Sequence, residues 1–187
     1  MTEKLDRKSP IWIYEKAVPS EICDYIVSSF KNNEYESGTV GHNIIKENVR
    51  KVFVQYIPQN NWITSLIHYY GFDANKENFN YTVSDSSQVQ FLKYEPGMFY
   101  RVHADTSDYV GVESYYRKLT VILNLTDPSE FDGGKFVLYN NGLTAIRPEA
   151  TKGTVFVFPS FMNHKISPIT KGTRYSMVGW IMGPPFA

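Results

Sequence analysis

The spacing of apolar side chains changes along the chain, from a helical period in the first third to short alternating runs in the rest. After Pro19 the apolar residues recur at helical spacing and predict a helix, with Ser20 as its N-cap. The predicted inward face of this helix consists of Ile22, Tyr25, Ile26 and Phe30. A second helix is predicted over residues 59–71, with the segment DANKENF as a broken extension. The polar, glycine-containing residues 33–50 predict a loop or a weak hairpin.

From about residue 79, short β-branched and aromatic runs alternate with turn residues, which predicts a series of strands. The predicted strands cover residues 79–84, 87–94, 98–103, 118–125, 135–139, 143–146, 154–158, 163–167 and 173–182. Asn141-Gly142 lies between two of these runs and predicts a hairpin. The order of elements predicts a mainly β fold with supporting helices, a double-stranded β-helix or jelly roll. We expect a single domain over residues 1–187, with helical support to about 78 and the jelly-roll core from about 79.

Composition narrows the classes of partner and compartment. Lys+Arg and Asp+Glu number 19 each, so the chain lacks the basic excess that is typical of nucleic-acid binding, and no such partner is expected. The single cysteine, Cys23, excludes an internal disulfide and suits a reducing compartment. The sequence shows no apolar leader and no run long enough for a membrane helix, which predicts a cytoplasmic protein without a membrane partner. No feature indicates an oligomeric state.

One short motif suggests a metal site. His103-Ala104-Asp105 ends a predicted strand, and residues two apart on a strand point to the same side, so both side chains can reach one ion. His164, on another predicted strand, is the candidate third ligand. Two histidines and one carboxylate that leave other metal positions open are typical of non-haem Fe(II) oxygenases. The motif alone is a weak signal, because a solvated loop would also explain it, and zinc in a structural or hydrolytic role is the alternative metal.

A second group of residues suggests a carboxylate-binding position. Arg174 follows His164 by ten residues and shares a predicted strand face with Ser176. The planar fork of arginine suits a carboxylate because it donates two parallel charge-assisted hydrogen bonds. Tyr94, on an earlier strand, could donate its phenol to a co-substrate. The simpler interpretation is a surface salt bridge for Arg174 and a hydroxyl at the core edge for Ser176.

Together these motifs carry a family resemblance. In chain order they are Y-x-P-G from Tyr94, H-x-D from His103, D-G-G from Asp132, F-P-x-x-x-x-H ending at His164, and R-Y-S from Arg174 with a following G-W. The ordered set resembles the prolyl 4-hydroxylase-type 2-oxoglutarate oxygenases, and in detail the small bacterial and phage hydroxylases of the PKHD type. The resemblance is strong over residues 85–182 and looser before them.

The resemblance implies roles for individual residues. The implied ligands of Fe(II) are His103, Asp105 and His164. Arg174 would pair with the distal carboxylate of 2-oxoglutarate, and the implied further contacts of this co-substrate are Ser176 and Tyr94. Asn124 falls near a position where several relatives place a tyrosine or another polar contact, and this departure makes Tyr100 or Thr120 candidates for that contact. Gly133-Gly134 match a turn without a direct chemical role.

The resemblance also implies an activity. The expected enzyme is a dioxygenase that uses Fe(II), 2-oxoglutarate and O2, with ascorbate as a further cofactor, and that releases succinate and CO2. The expected substrate is a prolyl residue in a peptide or protein. The resemblance to bacterial and phage hydroxylases makes a phage-encoded enzyme that acts in a bacterial host one expectation. Alternatives are a hydroxylase of a small molecule or free amino acid, and a non-catalytic jelly-roll binding module; the presence of all three metal ligands and of Arg174 counts against the binding module.

Two segments are candidates for closing over the site, residues 34–50 and 106–116. Loops on a rigid scaffold commonly carry specificity. Aromatic residues that could line a peptide groove are Tyr109, Tyr115, Tyr116 and Trp180. The simpler interpretation is that these segments are solvated turns with packed tyrosines. His42 and His68 have no evident partners in the sequence and are predicted to be structural or exposed.

Overall fold

A computed structural model describes residues 9–39, 44–106, 116–140 and 144–185. The helices are α1 (Ser20–Phe30) and α2 (Trp62–Ala74), which continues into a π-helical turn (Asn75–Phe79), and a short 3-10 turn covers Pro128–Glu130. The strands are β1 (Trp12–Tyr14), β2 (Glu36–Ser37), β3 (Arg50–Lys51), β4 (Phe53–Ile57), β5 (Asp85–Ser86), β6 (Val89–Tyr94), β7 (Phe99–His103), β8 (Tyr116–Asn124), β9 (Phe131–Gly133), β10 (Phe136–Asn140), β11 (Thr144–Ile146), β12 (Val155–Pro159), β13 (His164–Ile166), β14 (Ile169–Gly172) and β15 (Arg174–Gly183).

The strands of the described residues form two large sheets and a small one. The major sheet has eight strands in the order β1-β12-β8-β15-β6-β4-β2, with β5 paired to β15. The minor sheet has five strands in the order β11-β10-β13-β7-β3, and β14 pairs with β9 in a two-stranded sheet. One hydrophobic cluster joins the helices to the major sheet, and a second fills the space between the major and minor sheets. The molecule therefore has three layers, in the order helices, major sheet and minor sheet.

Strand β8 shows how the sequence creates these layers. Successive side chains on a strand point to opposite faces. Leu119, Val121 and Leu123 are fully buried in the cluster with the helices. Ile122, between them, belongs to the cluster that faces the minor sheet. Because both faces of β8 are covered, the strand reads as a nearly continuous apolar run rather than as an alternation.

The predicted jelly roll with supporting helices is confirmed, but the N-terminal part contributes more than helices. Strand β4 lies in a segment for which no strand was predicted, and β2 and β3 arise within or at the end of the polar segment 33–50. These strands extend the major sheet and the minor sheet. The helical-support prediction for residues 1–78 thus missed strands that depend on pairing with distant partners. Whether the chain is one domain stays a prediction.

Three local predictions are wrong. Ser20 is inside α1, since Pro19 occupies the N-cap position without a side-chain cap hydrogen bond. Ile22 and Tyr25 are exposed, and the buried side chains of α1 are Cys23 and Ile26. Residues 79–84 do not form a strand, because the π-helical turn ends at a left-handed Asn80 with φ 55°.

Two further predictions concern the hairpin and the membrane helices. Asn141-Gly142 lies outside the described residues, but β10 and β11 on either side pair antiparallel, as a hairpin requires. Within the described residues, neither helix has the length and apolar character needed to cross a bilayer.

Candidate active site

The two histidines and the aspartate predicted as metal ligands lie together at one end of the space between the sheets. Strands β7 and β13 pair antiparallel with His103 directly opposite His164, and Asp105 follows two residues after β7 ends. The His103 Nε2 atom lies 3.4 Å from Asp105 Oδ1, and the His164 Nε2 atom lies 3.6 Å from Asp105 Oδ2. The ligand atoms of the three residues all lie within 4.8 Å of one another. Such a group is compact enough to coordinate one metal ion.

Backbone carbonyls orient both imidazole rings. His103 Nδ1 donates to the carbonyl of Arg101 at 2.8 Å, and His164 Nδ1 donates to that of Met162 at 3.0 Å. Since a carbonyl only accepts, each Nδ1 carries a hydrogen, and Nε2 is the ring atom of each histidine that faces the cluster and can bind a metal. Burial lowers the pKa of His164, which favours the neutral ring that a metal requires.

Asp105 is held as a carboxylate. Its Oδ2 accepts hydrogen bonds from Thr120 Oγ1 at 2.8 Å and from Trp180 Nε1 at 3.0 Å. Burial alone would raise the pKa of Asp105, but the neighbouring His164 and His103 and the Trp180 hydrogen bond outweigh it and hold the pKa well below its usual range. The group therefore offers one carboxylate beside two imidazole nitrogens, the ligand set of the predicted iron site.

Aromatic rings support the cluster on two sides. The Tyr100 ring stacks on the His103 imidazole with 3.4 Å between ring centroids, and the Arg50 guanidinium lies 4.8 Å from the centroid of the Tyr100 ring. On the other side, Arg117 lies over Trp180 at 3.8 Å. These contacts restrict the movement of His103 and of the indole that binds Asp105, and such outer partners are known to tune metal sites.

Arg174 is buried without a carboxylate partner. Its side chain is 2% exposed, and it forms no ion pair within 4.0 Å among the described residues. Its Nη1 donates to Ser176 Oγ at 3.1 Å, and its Nη2 donates to Asn124 Oδ1 at 3.0 Å. Burial lowers the pKa of Arg174, but a guanidinium remains protonated in proteins. A buried cation held only by neutral oxygens is costly unless an anion joins it.

One cavity connects the cationic position to the metal-ligand cluster. It has a volume of about 580 Å³. Every predicted site residue contributes to its wall: His103, Asp105, His164, Arg174, Ser176, Tyr94, Tyr100 and Thr120. Burial raises the pKa of Tyr94, and it raises that of Tyr100 to about 12, so both phenols keep their proton as a donor. The structure thus brings together residues that lie up to about eighty positions apart in the sequence.

Gly134 has an indirect effect on the cavity. It has φ 54°, and a Cβ atom there would lie 2.3 Å from Ile169 Cδ1 and 3.2 Å from Arg174 Cδ. The D-G-G turn therefore leaves the space that the stem of Arg174 occupies. The sequence motif identified this turn, but the reason for its second glycine appears only in the structure.

The sequence did not indicate the supporting roles of several residues. Trp180 was a candidate for a substrate groove, but its indole binds Asp105. Ser160 shares a hydrogen bond of 3.0 Å with Thr120. Arg50 donates to the carbonyl of Thr39 and to Gln90 Oε1. All of these contacts except that of Arg50 with Thr39 join residues 40 or more positions apart, so periodicity could not predict them.

Among the described residues, His68 and Tyr116 lie apart from this cluster. His68 lies on α2 and hydrogen-bonds to the carbonyl of Ser87 at 2.9 Å. His42, Tyr109 and Tyr115 lie outside the described residues. Tyr116 begins β8 and does not line the cavity.

Comparison with known proteins identifies the family. The model of the 2OG-Fe(II) oxygenase superfamily matches residues 89–182, about half of the chain, which include the three clustered ligands and Arg174. This chain belongs to the 2OG-Fe(II) oxygenase superfamily. The oxygenase is 31% identical over 96 residues to a PKHD-type hydroxylase of Idiomarina loihiensis, a match that covers 51% of this chain and 42% of that protein. The chain thus spans less than half the length of such curated relatives.

Solved structures confirm the jelly-roll fold of the oxygenase. A prolyl-4-hydroxylase of Pseudomonas putida superimposes with a TM-score of 0.75 at 18% identity, over 94% of each chain. A prolyl hydroxylase of Trichoplax adhaerens, in complex with a hypoxia inducible factor oxygen degradation domain peptide fragment, superimposes with a TM-score of 0.75 at 16% identity. This match covers 92% of the oxygenase and 83% of that chain. The family gives the metal and co-substrate as Fe(II) and 2-oxoglutarate.

Proposed function

We propose that this oxygenase hydroxylates a C–H bond of a prolyl residue in a peptide or protein, with release of succinate and CO2. One observation carries the oxygenase chemistry. A single cavity contains both a cluster of two histidines and one carboxylate and a buried guanidinium that no described carboxylate neutralises. The cluster fits a divalent metal, and the guanidinium fits an anionic co-substrate beside it.

The metal position follows from the donor set. We propose that His103 Nε2, Asp105 and His164 Nε2 bind Fe(II), which supplies the oxidising chemistry when 2-oxoglutarate and O2 are also bound. The chain itself orients the ligands. The carbonyls of Arg101 and Met162 fix the imidazole tautomers, and the Trp180 indole fixes the carboxylate.

The co-substrate position follows from Arg174. We propose that its guanidinium binds the distal carboxylate of 2-oxoglutarate, with the Ser176 hydroxyl beside it. Thr120 donates its hydroxyl hydrogen to Asp105, which supports a role in orienting the metal ligand. Tyr94 and Tyr100 are then the better candidates for a further contact with the co-substrate, since each keeps its phenolic proton at the cavity wall.

Zinc in a structural or hydrolytic role accounts for less of the site. It would explain the ligand cluster but not a buried arginine held by neutral oxygens in the same cavity. A binding module that had lost the chemistry would be expected to lack a metal ligand or the arginine, and all four residues line this cavity. The arrangement therefore favours the oxygenase over both alternatives.

The peptide substrate is supported by the names of relatives and by the extent of the cavity. Relatives include PKHD-type hydroxylases, and one structural neighbour contains a peptide fragment. The residues that line the cavity also include Tyr56, Ser87, Gln88 and Gln90, which could hydrogen-bond to a peptide. A small molecule or free amino acid is the alternative substrate. We also propose a cytoplasmic location, which the free, buried Cys23 suits. Ascorbate as a further cofactor is likewise a proposal.

The test uses the purified protein with Fe(II), 2-oxoglutarate and air. Mixed proline-containing peptides and free amino acids are supplied in separate reactions, and succinate and product masses are measured. We expect succinate to form with peptides, together with a mass gain of one oxygen atom on proline. Oxidation of free amino acids alone would overturn the peptide assignment. Absence of both succinate and 2-oxoglutarate binding by the anaerobic Fe(II) protein would overturn the oxygenase itself.

A further inference from the structure

Asn124 contacts the co-substrate arginine from behind the cavity wall. It lies on β8 opposite Ser176 of β15, is 2% exposed, and is not among the residues that line the cavity. Its Oδ1 accepts from Arg174 Nη2 at 3.0 Å, and its Nδ2 donates to the carbonyl of Thr154 at 3.1 Å. A guanidinium only donates and a carbonyl only accepts, so the two contacts fix which end of the amide faces Arg174. Asn124 therefore cannot turn its amide without losing both hydrogen bonds.

The neutrality of this acceptor matters for the charge of Arg174. Both protein acceptors of the guanidinium, Asn124 Oδ1 and Ser176 Oγ, are uncharged. They hold the planar group in one orientation but leave its positive charge uncompensated. A carboxylate in the place of the Asn124 amide would hold the same nitrogen and would also neutralise the charge. Such an internal ion pair would compete with any carboxylate that enters from the cavity.

We propose that Asn124 is a positioning residue for co-substrate binding. It fixes the orientation of the Arg174 fork through a neutral oxygen, and this keeps the charge of Arg174 available to the distal carboxylate of 2-oxoglutarate. The inference rests on the proposed function. It gives Asn124 a role without direct co-substrate contact, in place of the contact that the resemblance placed near this position.

The substitutions Asn124→Asp and Asn124→Ala separate charge from geometry. Asp keeps the size and the acceptor oxygen, adds a charge and stays ionised beside a guanidinium. Both Asp and Ala remove the donor to the Thr154 carbonyl, so that loss is common to the two variants. Ala removes the acceptor without adding a charge. We expect Asn124→Asp to weaken 2-oxoglutarate binding by about tenfold to a hundredfold, and Asn124→Ala to weaken it less. If the acceptor geometry alone mattered, the order would be reversed, with Asp near the wild type; that order would overturn the proposal.

A second ligand distinguishes this effect from general damage. 2-Oxopentanoate has a methyl group where 2-oxoglutarate has its distal carboxylate, so its binding does not depend on the charge of Arg174. Affinities of both acids are measured by calorimetry on anaerobic, metal-loaded wild type and variants, with thermal unfolding as a check of folding. We expect Asn124→Asp to lose affinity for 2-oxoglutarate but to bind 2-oxopentanoate as the wild type does.

The outcomes separate this inference from the function on which it rests. If the wild type fails to bind 2-oxoglutarate, the proposed function fails. If both variants bind 2-oxoglutarate as tightly as the wild type does, the proposed role of Asn124 is wrong while the oxygenase assignment stands. The same conclusion follows if Asn124→Asp weakens the binding of 2-oxoglutarate and of 2-oxopentanoate to the same degree. In steady-state turnover the expected signature is a raised KM for 2-oxoglutarate with kcat little changed. If Asn124→Asp does not fold, the proposal stands or falls on Asn124→Ala, which should selectively weaken 2-oxoglutarate.

Discussion

The two faces of the major sheet are equally buried but chemically different. On the face toward the helices, β8 and β15 present side chains that are apolar and fully buried: Leu119, Val121, Leu123, Met177 and Ile181. On the opposite face the same strands present buried polar or charged groups and an indole: Thr120, Asn124, Arg174, Ser176 and Trp180. Burying polar groups is unfavourable unless partners satisfy them. The helix-facing side thus stabilises the fold, and the cavity-facing side accepts an energetic cost for chemistry.

The largest expected effect comes from removing a metal ligand on the cavity side. His164→Ala should reduce turnover to background, because the cluster loses one of its two imidazole donors. The measurement is succinate formation, with bound iron determined on the same sample. His68→Gln is the matched control, since His68 lies outside the cluster and glutamine can keep a donor toward the Ser87 carbonyl. Full turnover by His164→Ala would show that this histidine is not a ligand.

Shortening a buried side chain on the helix-facing side should reduce stability but leave the binding of 2-oxoglutarate unchanged. Leu123→Ala should lower the free energy of unfolding by about 2–5 kcal/mol, because it leaves a cavity in a fully buried cluster. Denaturant unfolding measures this change. The affinity of the remaining folded protein for 2-oxoglutarate should not change. A loss of affinity as large as the loss of stability would mean that the two faces are not independent.

Replacing the co-substrate arginine tests charge against shape on the cavity side. Arg174→Lys keeps the charge but loses the planar fork. We expect the KM for 2-oxoglutarate to rise about tenfold to a hundredfold, since an ammonium cannot form the two parallel, charge-assisted hydrogen bonds of the planar guanidinium. Arg101→Lys, on the exposed surface of β7, is the matched control. An unchanged KM in Arg174→Lys would contradict the assigned role.

The smallest expected effect is a change in how the free energy of unfolding depends on pH, caused by Cys23 on the helix-facing side. Burial raises the pKa of the Cys23 thiol to about 11 from its ordinary value of 9.0. The unfolded chain ionises first as pH rises, so the contribution of Cys23 to stability is complete below about pH 9 and is lost as pH approaches 11. Denaturant unfolding at several pH values measures this, with Cys23→Ala as the comparison. An identical pH dependence of the two proteins between pH 9 and 11 would contradict it.

The residues that line the cavity were predicted from the sequence better than the strands of the N-terminal part. Alternation placed His103 and Asp105 together, and the ordered motifs added His164 and Arg174, which all line one cavity. The H-x-D motif alone was a weak signal, and the ordered set of motifs with its family resemblance was needed to select these four residues. The roles of these residues toward iron and 2-oxoglutarate stay predictions until binding is measured.

The parts that the sequence did not predict depend on long-range contacts. Asn124 gained a role only when β15 placed Arg174 beside it, fifty residues away in the chain. Strand β4 pairs with β6 across a helix, and no local alternation marked it. The false strand at 79–84 shows the reverse case, because β-favouring residues there yield to a helix end at Asn80. Tertiary pairing decided the structure of β4, whereas a local helix end decided that of residues 79–84.

The central claim is most directly tested by titrating 2-oxoglutarate into the anaerobic protein, with and without Fe(II), for the wild type and for Arg174→Met. We predict saturable binding to the wild type that is tight only with Fe(II), and that is lost or greatly weakened in Arg174→Met. This result would place the metal cluster and the buried guanidinium in one co-substrate site. Binding that is absent from the wild type, or that is the same without metal and without the guanidinium, would contradict the account.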